Sequence, residues 1–207
     1  YKLESNATAL DLLDMLVYGK ESLYSISFPE GLTFDQIIKK IKANNNIKKT
    51  LKSYDEETIL KAISSNQKYV EGLFFPDSYY FYKNTTDIEI LKNANNVLKR
   101  KLELAWESRS DDLPYKNMYE ALIMASIIEK EVGILEEAPV IAGVFVNRLN
   151  INMPLQSDPT VIYGIRHKFK GNLKKKHLKK YTPYNTYVIK ALPPSPISLP
   201  SFNSIEA

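Results

Sequence analysis

The pattern of apolar and polar residues near the N-terminus predicts strand-turn-helix units. In "YSISFPEGLTFDQIIKKI" a short alternating stretch precedes helical spacing, with Thr33 as the N-cap residue and Ile37 and Ile41 on one face. The segment "YKLESNATALDLLDML" aligns with it at an offset of 25 residues and places Thr8 on Thr33. This weak repeat predicts two such units, although chance likeness between two amphipathic segments explains it as well.

The later part of the chain is dominated by helical periodicity. Long helices are predicted over residues 87–106, 117–131 and 139–149. The second has Asn117 and Glu120 as a capping box, is apolar on every face as a fully buried helix is, and is followed by Gly133. Asp158 and Pro159 predict the N-cap and first position of another short helix. Strand signals early and helices late together predict an α+β fold.

Two stretches lack clear periodicity. In "YVEGLFFPDSYYFY" Phe74, Phe75 and the four aromatic residues at positions 79–82 surround a Pro76-Asp77 turn. Packing in the core is favoured over stacking on sugars for each of these rings. The proline-rich "YTPYNTYVIKALPPSPISLP" predicts an extended loop laid over a surface.

Composition adds limits to this fold. The chain has 207 residues, 44% hydrophobic and 25% charged, which is enough for a packed core. It has no cysteine, which excludes disulfides and thiolate metal sites. No window approaches the roughly 18 consecutive apolar residues of a membrane helix, and the N-terminus lacks a signal-peptide layout. Because the sequence starts without methionine, we expect a fragment of a longer protein.

Much of the net charge of +4 lies in the lysine-rich run "HKFKGNLKKKHLKKY". A solvated face is favoured for such a run, and phosphate or an anionic envelope surface is the alternative. The run has no arginine and no nucleic-acid motif, so we expect no nucleic-acid partner. His167 and His177 lack ligand spacing, so we expect no metal site and no cofactor.

The stretch "ASIIEKEVG" ends the most apolar helix with two glutamates, Glu129 and Glu131. Loss of hydration and the partial negative charge of a helix C-terminus both favour a protonated carboxyl group. The two side chains differ by about 200° around the helix, so only one can face a given cleft. Periodicity does not choose between them, and it leaves open that both only solvate the helix end.

Six motifs occur together in order: "EGLFFPDSYYF", "ASIIEKEVG", "VFVNRL", "LQSDPTVIYG", "YNTY" and "LPPSPI". Over residues 22–207 the chain thereby resembles the endolytic murein transglycosylases, or YceG-like family. The resemblance implies that residues 1–65 form a small LysM-like glycan-binding module and residues 66–207 a mostly helical catalytic domain. It also implies an anchor in the cytoplasmic membrane by an N-terminal helix outside this sequence, with the enzyme on the outer side.

The resemblance also selects the candidate site. It implies that Glu131 is the single catalytic acid and base, which cleaves the bond between N-acetylmuramic acid and N-acetylglucosamine and leaves a 1,6-anhydro end. The matching motifs supply candidate substrate-binding residues: Gln156, Ser157, Asp158, Tyr163, Asn185, Thr186 and Tyr187. The expected partners are peptidoglycan strands, with peptidoglycan synthases as further candidates.

Several alternatives stay open for these residues. Helix capping explains Asp158 better than catalysis does, and Asn185 and Thr186 suit loop backbone groups equally well. One alternative function is a muramidase-type hydrolase that uses Glu131 and Asp158, because ordinary glycosidases need two carboxylates. Another is a non-enzymatic scaffold that binds peptidoglycan.

Overall fold

The computed structural model describes residues 8–17 and 23–207 and shows an α+β protein. In chain order the elements are α1 (Ala9–Val17), β1 (Leu23–Ser27), α2 (Phe34–Ala43), α3 (Glu56–Ala62), β2 (Ser78–Tyr82), α4 (Asp87–Glu107), α5 (Met118–Glu131), α6 (Ala138–Asn150), α7 (Asp158–Gly164), α8 (Lys175–Leu178) and α9 (Phe202–Glu206). Short 3₁₀ turns lie at Leu135–Glu137 and Arg166–Lys168. No helix in the described part of the chain has the length and apolar character needed to span a membrane.

The two strands form one antiparallel pair, with Ile26 opposite Tyr79. Alternation in β2 sends Tyr79 and Phe81 into the core and leaves Tyr80 and Tyr82 exposed. Core packing is thus confirmed for some rings of the aromatic stretch and is wrong for Tyr80 and Tyr82. The pairing also joins residues on both sides of position 65, and the division into two domains there stays a prediction.

The core consists of two neighbouring clusters. The larger one packs Phe28, Ile37 and Ile41 from the N-terminal part against Phe74 and Leu91. The smaller one lies between α5, α6 and α7 and buries the Glu131 end of α5. Burial of such side chains contributes about 1.5–3 kcal/mol each, so the larger cluster holds both halves of the chain together.

The predicted helix starts are mostly confirmed. The Asn117 side chain accepts bonds from the backbone N–H groups of Tyr119 and Glu120, which caps α5. Glu120 accepts from the N–H of Lys116 instead of that of Asn117, so the predicted capping box is shifted by one residue. The predicted short helix is confirmed as α7, but its predicted N-cap was wrong: Ser157 is the N-cap residue and Asp158 is the first helical residue.

Of the predicted repeat, the unit at β1 and α2 is confirmed as strand, turn and helix. In the first copy α1 follows Thr8 as expected, but the predicted strand lies outside the described residues. The repeat therefore stays a prediction.

The segment before α9 has no helix or strand, as predicted, and residues 195–201 are buried against other elements. Ile197 donates its N–H to the Ser126 hydroxyl of α5, and Leu199, with no exposed surface, lies in the larger cluster. Leu199 also exchanges backbone hydrogen bonds with Gly31 and Leu32 in the turn before α2. The segment therefore connects α5 to the N-terminal turn.

Candidate active site

The C-terminal end of α5 carries two carboxylates with different surroundings. Glu129 uses one oxygen, Oε2, to accept from the N–H of Ser201 at 2.9 Å, the hydroxyl of Ser201 at 2.7 Å and the hydroxyl of Ser204 at 2.8 Å. Ser201 caps α9, so Glu129 fixes the start of that helix. A carboxylate with three donors on one oxygen is a structural group.

Glu131 is half-buried and has one hydrogen-bond donor. Its Oε1 accepts from the Ser157 hydroxyl at 2.6 Å, and within residues 8–17 and 23–207 its Oε2 has no partner. The carboxylate lines a hollow of about 270 Å³ with Gln156 and Arg148. The wall from α6 is apolar and consists of Val140, Ile141, Val144 and Phe145. One oxygen is therefore held while the other is open to a ligand in the hollow.

Buried hydroxyl groups hold Ser157 in place. Thr186 Oγ1 accepts from the backbone N–H of Ser157 at 3.0 Å, and Thr160 donates to the carbonyl oxygen of Ser157 at 2.6 Å. The two threonine hydroxyls lie 2.7 Å apart, and all three residues have no exposed surface. Because buried polar groups are costly to leave unpaired, this network fixes the Ser157 backbone tightly.

Gln156 lies between the buried Leu155 and Ser157 in a left-handed conformation, with φ at 58°. Its N–H donates to the carbonyl oxygen of Thr186 at 3.0 Å, and its exposed side chain lines the hollow. Non-glycine residues adopt this backbone rarely and at a cost, often at functional sites. The strained backbone directs Gln156 toward the ligand space beside Glu131.

Tyr187 and Asp158 form a hydrogen-bonded pair close enough to Glu131 to feel its charge. The Tyr187 hydroxyl donates to Asp158 Oδ1 at 2.7 Å. Burial raises the pKa of Tyr187 to about 12, the charges of Asp158 and Glu131 add to the increase, and Arg148 opposes it. The four groups therefore share one electrostatic environment, and the exposed Asp158 already has a donor.

Tyr163 and Asn185 are buried beneath the site. The Asn185 amide donates to the carbonyl oxygens of His177, Leu178 and Lys180, and its oxygen accepts from the N–H of Tyr187. Tyr163 donates its hydroxyl to Glu71 at 2.9 Å. Direct substrate contact by these two residues stays a prediction, and the contacts seen here support neighbouring segments.

Glu71 is a buried carboxylate that the sequence reasoning missed. It accepts from the N–H of Phe34 at 2.7 Å and from Tyr163, and so joins the start of α2 to α7. Burial raises the pKa of Glu71 to about 7, against the opposing effects of the Phe34 and Tyr163 bonds and the charge of Arg166. A lone acid within the apolar "YVEGLFF" was the signal for it.

Arg148 is a second residue that was missed. Its guanidinium group donates to the carbonyl oxygen of Leu155 and so holds the segment that leads into Gln156 and Ser157. It follows Ile141 and Phe145 at helical spacing, so all three face the hollow. A cation on an otherwise apolar helix face was the available signal.

The chain matches the YceG-like family over residues 1–207. It is 30% identical to an endolytic murein transglycosylase of Streptococcus pneumoniae over 241 aligned residues, which cover 100% of this chain and 43% of that protein. It is 33% identical to an endolytic murein transglycosylase of Bacillus subtilis over 174 residues, which cover 83% of this chain and 48% of that protein. The chain thus spans less than half the length of these relatives.

A solved structure has the same fold. The crystal structure of a yceG-like protein from Listeria monocytogenes matches with a TM-score of 0.64 and 27% sequence identity. The match covers 100% of this chain and 72% of that one.

Proposed function

The chain belongs to the YceG-like family, and from this we propose that it carries the catalytic site of an endolytic murein transglycosylase. Its substrate is the peptidoglycan strand, and it cleaves between N-acetylmuramic acid and N-acetylglucosamine. The observation that carries the proposal is the carboxyl group of Glu131, held on one oxygen by Ser157 and open on the other to the hollow.

One carboxyl group is enough for this reaction. Protonated Glu131 gives its proton to the bridging oxygen, and the bond between that oxygen and C1 of the muramoyl residue breaks. The carboxylate then removes the proton of the C6 hydroxyl, whose oxygen bonds to C1. A 1,6-anhydro end forms, no water is consumed, and Glu131 ends protonated as it began.

Ser157 supports both halves of this cycle. Its hydroxyl donates to Oε1, so it stabilises the carboxylate once the proton has left from Oε2. Thr160 and Thr186 hold the Ser157 backbone, which keeps the donor aimed at Glu131. The hydrogen bond costs little reorganisation during the reaction because its surroundings are buried.

The remaining candidates divide by exposure. Gln156 lines the hollow and the Asp158–Tyr187 pair is not buried, so these three are proposed to contact the sugars. Tyr163, Asn185 and Thr186 are buried and are proposed to hold these segments in place. Residues 1–65 are proposed to add glycan contacts as a LysM-like unit. In the intact protein we place the site outside the cytoplasmic membrane on an N-terminal anchor, with synthases as candidate partners.

Mass spectrometry of products from purified glycan strands tests the function. Product ends of the 1,6-anhydro type are expected. Reducing ends would instead indicate a hydrolase in which Asp158 is the second carboxylate. If the intact protein cleaved no strand at all, the non-enzymatic scaffold that binds peptidoglycan would be the remaining alternative.

A further inference from the structure

One section of the chain has a strongly one-sided charge. Residues 159–205 contain no aspartate or glutamate. The same section carries nine cationic residues: Arg166, Lys168, Lys170, Lys174, Lys175, Lys176, Lys179, Lys180 and Lys190. The formal net charge of the whole chain is only +4, so the rest of it is net negative.

Part of this charge surrounds a concave surface, here called the basic hollow. It has a volume of about 390 Å³ and is lined by Lys168, Lys170, Asn172, Lys174, Lys176 and His177. Its four lysines are exposed. Across the described part of the chain the ion pair found is Lys61 with Glu57, so none of these four ammonium groups is neutralised by a carboxylate there.

The backbone around the basic hollow is held in a defined shape. The buried Asn185 amide donates to the carbonyl oxygens of His177, Leu178 and Lys180. The N–H of Lys174 donates to His177 Nδ1 at 3.1 Å. Lys174 and Lys176 therefore project from a segment fixed to the same loop that carries Tyr187.

The residues of the basic hollow come after the C-terminal end of α7, whereas Glu131 lies at its N-terminal end. Helix α7 begins after Ser157, which contacts Glu131, and ends at Gly164. Seven helical residues span about 10 Å. At Gly164 an added Cβ would lie 2.5 Å from Thr182 Oγ1, so the segment after the basic run packs closely on this helix end. Because Lys168 follows Gly164 by only four residues, the separation between Glu131 and the basic hollow is one that a few sugar units of an extended polymer can span.

We infer that the basic hollow is a subsite for the carboxylates of the peptide stems that N-acetylmuramic acid units carry along a peptidoglycan strand. The inference rests on the proposed function, because it requires that strand to lie in the candidate active site. A lysine ammonium group is a compact charge that can bind a carboxylate from many directions. It therefore suits mobile carboxylates better than a guanidinium group, which binds them in one bidentate geometry. The interaction is exposed and therefore weakened by salt.

Binding measured without turnover tests the subsite. In the Glu131→Gln protein, strands with stems and strands freed of stems by an amidase are compared at low and at physiological salt. Stem-bearing strands are expected to bind about tenfold more tightly at low salt, because several exposed ion pairs each contribute modestly. The preference should shrink as salt rises and disappear when K168Q, K170Q, K174Q and K176Q are combined.

A matched variant controls for total charge. K83Q, K92Q, K99Q and K116Q remove the same charge from exposed positions elsewhere and should keep the preference. Equal affinity for both kinds of strand, or equal loss in the control, would overturn the inference while leaving the proposed function intact. Binding of neither strand would reject both. A third outcome would assign the basic hollow to a membrane surface instead. In that case the protein would bind both kinds of strand equally and would sediment with anionic lipid vesicles only when the four lysines are present.

Discussion

Glu129 and Glu131 show how two carboxylates on one helix turn acquire different properties. The Ser201 and Ser204 donors saturate one oxygen of Glu129 and link it to α9. Glu131 has the Ser157 hydroxyl on one oxygen and the hollow beside it. Proton transfer to a substrate needs an accessible oxygen, and Glu131 offers one.

Glu131→Gln keeps the volume of the side chain and removes its transferable proton. We expect the rate of anhydro-product release to fall by at least about 10²–10⁴, the range of general acid–base catalysis, with folding retained. Glu129→Gln is the matched control: it should lower the free energy of unfolding by about 1–3 kcal/mol through its lost charged hydrogen bonds. A larger rate loss in the Glu129 variant would reject Glu131 as the acid.

Ser157→Ala tests the donor that holds Glu131. Loss of a hydrogen bond to a charged group is worth about 1.5–3 kcal/mol, so kcat should fall by roughly 10- to 100-fold. KM should change little, because the hydroxyl faces Glu131 and not the sugars. Ser157→Thr retains a hydroxyl and should recover part of the rate, and failure of both variants alike would indicate a packing effect.

Glu71 should make stability depend on pH. Because its pKa rises from 4.5 to about 7 on folding, the folded state binds its proton more tightly than the unfolded state. Its contribution is therefore largest below pH 4.5, declines as the pH rises to about 7, and is constant above that. The difference is on the order of 3 kcal/mol. Asp35 strengthens the increase in pKa, whereas Arg166 and the Tyr163 hydroxyl oppose it.

Thermal unfolding of Glu71→Gln between pH 4 and pH 8 checks this effect. The variant should lose the decline of the melting temperature in that window, because glutamine does not titrate. Glu103→Gln, at an exposed position on α4, should keep the decline. If the melting temperature of the Glu71 variant declined with pH as steeply as that of the wild type, the pH dependence would belong to other groups.

At the residue level the sequence predicted the helix end and its two acids but could not choose between them. Apolar residues cover every face of α5, and the partners of Glu129 lie more than 70 positions later in the chain. Family resemblance selected Glu131. The role of Glu71 was missed because its partners, Phe34 and Tyr163, come from two distant segments.

Among the elements, helices α4 and α5 were predictable because caps and periodicity are local features. Strand β2 was not predictable in the same way. Its alternation is visible only once the core side is known, and its partner β1 lies about fifty residues earlier in the chain. The loop before α9 was predicted but its burial was not, because prolines mark turns but do not report depth. Contacts between distant segments decided each of these errors.

Among the described glycines, Gly72 is the one where an added Cβ would make the closest contact. Its φ is +74°, and an added Cβ would lie 2.3 Å from the Pro196 side chain. Gly72→Ala should therefore lower the free energy of unfolding by about 2–4 kcal/mol, since backbone strain and overpacking add. Chemical denaturation measures this change.

Gly143→Ala is the matched control for Gly72→Ala. Gly143 is helical in α6, and an added Cβ there meets no atom within 4 Å. The substitution should be stabilising by about 0.4–1 kcal/mol, because it reduces the conformational entropy of the unfolded chain. Equal effects at the two glycines would contradict the close contact with Pro196.

At the scale of the whole molecule, described residues before position 66 share the larger cluster with residues after it. Removal of residues 1–65 deletes β1, leaves the hydrogen-bonding edge of β2 unpaired and takes Phe28, Ile37 and Ile41 out of the larger cluster. We expect residues 66–207 alone to lose cooperative thermal unfolding, as measured by circular dichroism. Removal of residues 1–22 should be tolerated much better, because Leu10, Leu13 and Val17 of α1 are exposed. A folded, active 66–207 fragment would contradict the shared core.

The hydrogen bonds between Leu199 and the Gly31–Leu32 turn also bear on how the chain is synthesised. Leu199 lies 167 residues after Leu32 and fills the same core as Phe28 and Ile37. At about 5–20 residues per second the ribosome needs roughly 8–35 s to supply that last piece. During this interval the larger cluster lacks Leu199, so its packing is completed, and its apolar side chains are fully withdrawn from chaperones, only when almost the last described residue has emerged.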